Sequence, residues 1–188
     1  LQVIRAGNVL LANTPGSAPL ESSALLGFLP AISRHVLGED LLLPSLATWW
    51  CGEDAALREV LPLLRQSVIR PTYPSSGMHT VIGQSLHGRA VDEWSGRLVR
   101  QPDEHTVQAW LPLSQTPTWS EQRLLPRSAM LRVFALADGP QSWRLLPGGL
   151  VRLAPRGQLV AAMQRGGSSA DCWVLTEGAV DTTTLLQS

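Results

Sequence analysis

The chain contains no lysine: all fifteen of its cations are arginines. A guanidinium does not lose its proton in practice, so Schiff-base and lysine-nucleophile chemistry are excluded. A Walker-type phosphate loop, which requires a lysine, is excluded with them. Codon bias would explain the arginine-only set equally well, yet any phosphate clamp here must be arginine. Cysteine is almost as scarce. Cys51 and Cys172 are too few for a disulfide framework and too far apart for a metal knuckle, and read as buried thiols in a reducing compartment. The formal charge is zero and the cations are spread along the chain, which argues against a nucleic-acid stripe or a basic membrane face. No apolar run reaches the roughly 18 to 20 residues of a membrane span. The expectation is a soluble, cytoplasmic protein with no nucleic-acid or membrane partner.

Other chemistries fail on spacing. His35, His79, His87 and His105 are not paired at metal-ligand spacing, and there is no Gly-x-Ser-x-Gly elbow. Glu21, Glu53, Asp54, Glu121 and Asp171 are isolated carboxylates of the kind that cap helices or face solvent. With 44% hydrophobic residues in 188, the chain can bury one core of ordinary size or two small lobes. It opens without a methionine, inside an amphipathic segment (Leu1, Val3, Ile4), and ends on a polar tail, which suggests a piece of a longer protein.

The organising stretch is Ser67 to Gly83, SVIRPTYPSSGMHTVIG. Val68 and Ile69 predict a strand. Pro71 and Pro74 stop it, and Ser75, Ser76, Gly77 and Gly83 leave backbone N–H groups free to face an anion, an ordinary turn being the alternative. Upstream, Val9 to Asn13 reads as a strand and Glu21 to Leu37 as a helix ending at Gly38. Trp49, Trp50 and Cys51 close a short apolar run of core or interface character, and Asp54 is placed to cap a helix through about Leu64. Downstream, Val91 to Arg100 reads as a helix and His105 to Leu113 as a strand. Ala129 to Ala137, Ser142 to Leu146 and Leu150 to Ala154 read as an antiparallel block. Arg132, Arg144 and Arg152 fall in these strands among apolar residues, either turned toward a core, where arginine needs an anion, or standing on a solvent face. Last comes MQRGGSSADCWVL, in which Arg165, Gly166, Gly167, Ser168 and Ser169 have the outfit of a loop that closes over a phosphate or carboxylate, or of a plain linker.

The runs NVLLANTPGSAPLESSALLGFLPAI, LLLPSLATWWCGE, SVIRPTYPSSGMHTVIG, LRVFALADG with RLLPGGLVRL, and MQRGGSSADCWVL together resemble the circularly permuted ATP-grasp family, type 2, in collinear order. Members are usually much longer, and the chain resembles their carboxy-terminal half. The implied fold is α+β and ATP-grasp-like but partial, with mixed and antiparallel sheets flanked by helices. Its segments would be a substrate-side lobe (1–65), a lid-like subdomain with the phosphate-covering loop (66–115), and an antiparallel sheet with the late loop (116–188). Such enzymes activate a carboxylate as an acyl phosphate and join it to an amine or thiol, inside a site that must close against water.

By this resemblance Arg70 stands where the family's V-I-K-P strand has its phosphate-binding lysine, and Ser75, Ser76 and Gly77 cover the phosphates. Gln108 matches the hinge strand. Ala109 replaces the family's glutamate there, leaving backbone groups of Trp110 and Leu111 to read adenine. Arg132, Arg152 and Arg165 are assigned to substrate carboxylate or phosphate, and Gly166 and Gly167 to the nucleotide, while Ser168 and Ala170 depart from the family's glycine and lysine. The implied cofactors are ATP and Mg²⁺, with the metal's ligands outside this chain. The implied partners are a small carboxylate or peptide and the remaining half of the protein. Arg70, Ala109 and Ala170 leave open a degenerate nucleotide- or peptide-binding module, or a scaffold.

Overall fold

A computed structural model describes residues 1–13, 15–120, 122–139, 142–158 and 166–179. Two compact units divide the chain, Leu1–Leu111 and Pro112–Ser188. Among its described residues the first holds four α-helices, α1 (Gln2–Arg5), α2 (Leu25–Leu37), α3 (Asp54–Val60) and α4 (Arg89–Arg100), and four strands, β1 (Thr48–Trp50), β2 (Ser67–Pro71), β3 (Val81–Ile82) and β4 (His105–Ala109). The strands form one antiparallel sheet in the order β1-β4-β2-β3.

Alternation divides this sheet into two unlike faces. Trp49, Ile69, Val81 and Val107 point to one side, where Cys51, Val60, Leu64, Leu86 and Leu98 from α3, α4 and the connecting turns complete the core. The opposite face carries Thr48, Trp50, Arg70, Thr106 and Gln108. α2 approaches this polar face: Ser23 N–H donates to Thr72 O at 3.0 Å, and a Cβ on Gly27 would lie 2.6 Å from Thr48 O. Glycine is therefore required where the helix backbone meets β1. Of the two neighbouring tryptophans, Trp49 packs in the core, whereas Trp50 donates its indole N–H to Asp103 O at 3.2 Å.

Several expected boundaries move, each for a local reason. Val9 to Asn13 is not a strand: Leu10 is 98% exposed, and no sheet edge among the described residues pairs with this segment. α2 begins at Leu25 rather than Glu21, because Pro19 sets up a separate 3₁₀ turn at Ala18–Glu21; it ends at Gly38, as the sequence predicts, and that glycine takes the left-handed conformation, φ 70°. Asp54 does not cap α3. Glu53 holds that position, without a side-chain bond, and Asp54 lies in the first turn. The helix stops at Val60 and continues as 3₁₀ through Leu61–Gln66, since Pro62 has no N–H for the α ladder. β4 ends at Ala109, four residues short of Leu113, because its partner strand begins at Ser67.

Among its described residues the second unit pairs its strands antiparallel, with β5 (Gln115–Ser120), β6 (Arg123–Arg132), β9 (Gly149–Leu153) and β10 (Ser168–Cys172) in the order β10-β9-β6-β5, and a separate hairpin of β7 (Ala135–Ala137) and β8 (Trp143–Leu145). The β5–β6 hairpin has no counterpart in the sequence reading, where the prolines Pro117 and Pro126 hid it; they face each other across the ladder. The expected single strand Ala129 to Ala137 breaks at Val133 and Phe134, where it passes from one sheet to the other. Ser168 and Ser169 are not loop residues but pair with Leu153 and Arg152.

Candidate functional site

Two clusters of candidate residues are described, one in each unit. In the first, Arg70 is half-buried on β2 and points to the polar face. Its Nη1 donates to Gln108 Oε1 at 3.5 Å. Gln108 Nε2 donates to Thr48 Oγ1 at 3.0 Å, and the Thr48 hydroxyl donates to Leu46 O at 2.9 Å. Beside them Thr72 and Thr106 share a hydroxyl contact of 3.4 Å, both buried. Cross-strand alternation brings these groups together: Thr48 and Gln108 are register partners, as are Arg70 and Thr106.

The loop expected to cover the phosphates turns the other way. Pro74–Ser76 forms a 3₁₀ turn closed by Gly77 at φ 71°, and Ser76 Oγ accepts the Met78 N–H at 3.3 Å. Ser76 and Gly77, with Met78, His79, Val81, Trp94 and Arg97, line a cavity of about 440 Å³. Val81 is the register partner of Ile69, so this cavity opens on the core-side face, opposite Arg70. Arg97 lies over the Trp94 ring, 4.9 Å from its centroid. Ser75, Ser76 and Gly77 are exposed in this arrangement. Gly83, expected to offer its N–H to an anion, is buried against the carbonyls of Leu64 and Ser67 and serves packing instead. The expected adenine-reading edge is also altered: Trp110 N–H already donates to Gln66 O at 3.1 Å, leaving carbonyls but not that donor. Gln108 is buried and engaged on both sides of its amide.

In the second unit the register places Met130, Arg132, Leu150, Arg152, Ser169 and Asp171 on one face of the β6-β9-β10 sheet. Arg152 is half-buried, and its Nε is sealed from solvent without a hydrogen-bond partner among the described residues. Arg132 is exposed rather than core-facing. So is Arg144, which is satisfied by Asp138 at 2.7 Å; the rim of a short hairpin gives it a carboxylate neighbour in place of a core. Gly166, at φ 79°, and Gly167 lead into β10. Arg165 and Gln164 lie outside the described residues.

The arginines suit an anionic ligand better than the carboxylates suit a metal. Arg70, Arg132 and Arg152 have no ion pair among the described residues, and no group of three or more His, Cys, Asp or Glu could hold a metal ion there. Among the same residues no helix is long and apolar enough to cross a membrane. The sequence reading missed Thr48. Its signal was present in the alternation of Thr48 with Trp49 and of Thr106 and Gln108 with Val107, which marks a polar strand face on a chain whose other face is core.

A Frankia casuarinae protein named "Putative glutamate--cysteine ligase 2-2" is 32% identical over 174 residues, covering 93% of this chain and 20% of that protein. An uncharacterized Mycobacterium tuberculosis protein is 34% identical over 176 residues, 93% of this chain and 32% of the relative. An uncharacterized Synechocystis protein is 30% identical over 176 residues, 93% and 36% respectively. The chain thus spans about a fifth to a third of the length of these relatives. The mixed α+β architecture with antiparallel sheets is compatible with an ATP-grasp-type fold. With the family model matching residues 1–154, the chain belongs to the circularly permuted ATP-grasp family, type 2.

Proposed function

We propose that this chain is the carboxy-terminal, anion-handling portion of an ATP-dependent carboxylate–amine ligase that works through an acyl phosphate. The observation that carries the reading is a pair of half-buried arginines, Arg70 and Arg152, that lack a carboxylate partner among the described residues. Half-burying a guanidinium without a counter-ion is unfavourable unless an anion completes it. Arg70 would hold nucleotide phosphate. Arg152, with Arg132 on the same sheet face, would hold a substrate carboxylate or phosphate, and Arg165 from the late loop would add to them. Gly166 and Gly167 would let that loop approach the nucleotide. ATP-grasp proteins generally use ATP and Mg²⁺. ATP fits the arginine donor set, and when bound it would supply the phosphoryl group that activates the carboxylate; the chain's own groups would bind, orient and neutralise charge. Mg²⁺ does not fit the described residues, so its ligands are assigned to the rest of the protein.

By segment, residues 1–65 would serve the substrate side, 66–115 would be the lid-like subdomain that carries Arg70, and 116–188 would bring the antiparallel sheet and the late loop. The partner implied is the remaining half of the polypeptide, as the relatives' greater length suggests. The test is ATP-dependent phosphate release by the full-length protein with a carboxylate and an amine supplied. Turnover that requires both Arg70 and Arg152 is expected, and turnover untouched by their replacement with alanine would overturn the assignment. A second reading, a degenerate nucleotide- or peptide-binding module, is favoured by Ser76 and Gly77 facing away from Arg70 and by the engaged amide of Trp110. It predicts ATP protection against thermal unfolding without turnover.

A further inference from the structure

We infer that Gln108, backed by Thr48, is the positioning residue for the Arg70 guanidinium, acting through a one-way chain of hydrogen bonds that ends on the Leu46 carbonyl. The inference rests on reading Arg70 as a phosphate-binding group. It gives Gln108 a role other than adenine recognition.

Donor and acceptor rules fix the direction. The Leu46 carbonyl can only accept, so the single hydroxyl proton of Thr48 is spent on it at 2.9 Å. Thr48 Oγ1 can then only accept, and the group that meets it at 3.0 Å must be the NH₂ of Gln108. A carboxamide is planar and rigid, so its Oε1 faces away from Thr48, where Arg70 Nη1 lies at 3.5 Å. The orientation of the amide therefore follows from the Leu46 carbonyl, and the amide presents only an acceptor to the arginine.

Neutrality matters as much as direction. The amide of Gln108 engages one of five guanidinium N–H groups without neutralising the cation, and Arg70 has no ion pair among the described residues. The remaining donors and the whole positive charge stay available for an anion. A carboxylate at position 108 would form a fork with Arg70 and consume that charge. Gln108 is 9% exposed, so the acceptor is shielded from competing water, and a guanidinium held on one corner loses less freedom when it binds.

The test uses the full-length protein in two measurements. The first needs no ligand: rotation about the Cζ–Nη bonds of Arg70, followed by NMR of labelled arginine. Hindered rotation is expected in the wild type and in Thr48→Ser, and free rotation in Thr48→Val and Gln108→Leu. Equal rotation in all four overturns the inference. Thr48→Val keeps shape and serves if Gln108→Leu does not fold. The second is titration with inorganic tripolyphosphate. Arg70→Ala should weaken binding at least about 10-fold, Gln108→Leu and Thr48→Val about 3- to 10-fold, and Thr48→Ser less than 2-fold; Gln108→Glu should weaken it more than Gln108→Leu. In the Arg70→Ala background Gln108→Leu should add less than about 2-fold, since coupled sites are not additive. A Gln108→Leu effect that persists there overturns the inference. Hindered rotation with tripolyphosphate binding indifferent to Arg70→Ala would leave the positioning intact and refute the phosphate reading alone.

Discussion

Replacing Gly83 with alanine should unfold much of the first unit's stability margin. A Cβ there would stand 2.7 Å from Ser67 O and 2.8 Å from Leu64 C, and closer still to the Leu64 carbonyl oxygen. All three atoms are backbone, at the junction of the Leu61–Gln66 turn with β2, and Leu64 is itself 1% exposed in the core. No side chain can rotate away, so the turn at Gly83–Ser85 must separate from the turn before β2 and carry Leu86 partly out of the core. Overpacking costs about 1–3 kcal/mol when side chains can adjust, and the rigid case belongs at about 3 or above. Against a total of roughly 5–15 kcal/mol, that lowers the melting temperature by about 10–20 °C for a unit of this size. Gly77→Ala is the control. It has open space around it and pays only for its φ of 71°, about 1 kcal/mol, with a fall of a few degrees. Thermal unfolding followed by circular dichroism reads both. A Gly83→Ala midpoint within about 2 °C of wild type would refute the packing argument.

Leu98→Ala, at a fully buried position, should cost about 2–5 kcal/mol in denaturant unfolding, with the midpoint shifted and the slope unchanged. Burial pushes the Cys51 thiol from 9.0 up to about 11, so the fold favours the neutral thiol; that contribution is complete below about pH 9 and is lost as pH rises toward 11. Stability should therefore fall more steeply over that range in wild type than in Cys51→Ala, and a disulfide reagent at pH 8 should label half-exposed Cys172 well before Cys51. Arg152→Met should melt at or above the wild-type temperature without ligand, because a buried Nε with no partner among the described residues costs about 1–3 kcal/mol, while weakening anion binding; a fall of more than 5 °C would argue against it.

What could be read from the sequence follows from where information is local. The β-branched pair Val68–Ile69 marked β2, and Gly38 marked the end of α2, because strand propensity and a left-handed cap are properties of a few adjacent residues. The family emerged from collinear motifs for the same reason. Facing was not local. Nothing in SVIRPTYPSSG says that Ser76 turns toward Trp94 while Arg70 turns toward Gln108; that depends on register with strands forty residues away. Gly83 was misassigned because a glycine needed for close approach looks, in one dimension, like a glycine left free for a ligand.

The strand order β1-β4-β2-β3 has a consequence for how the molecule is made. β4 lies between β1 and β2 and is the last of the four to be synthesised, so a nascent chain short of residue 105 carries two strands whose shared neighbour has not yet left the ribosome. Until then Trp49 and Ile69 have no Val107 beside them, and the growing polypeptide must tolerate that exposure or be shielded by a chaperone. That exposure can end only once His105–Ala109 is present to pair with both neighbours.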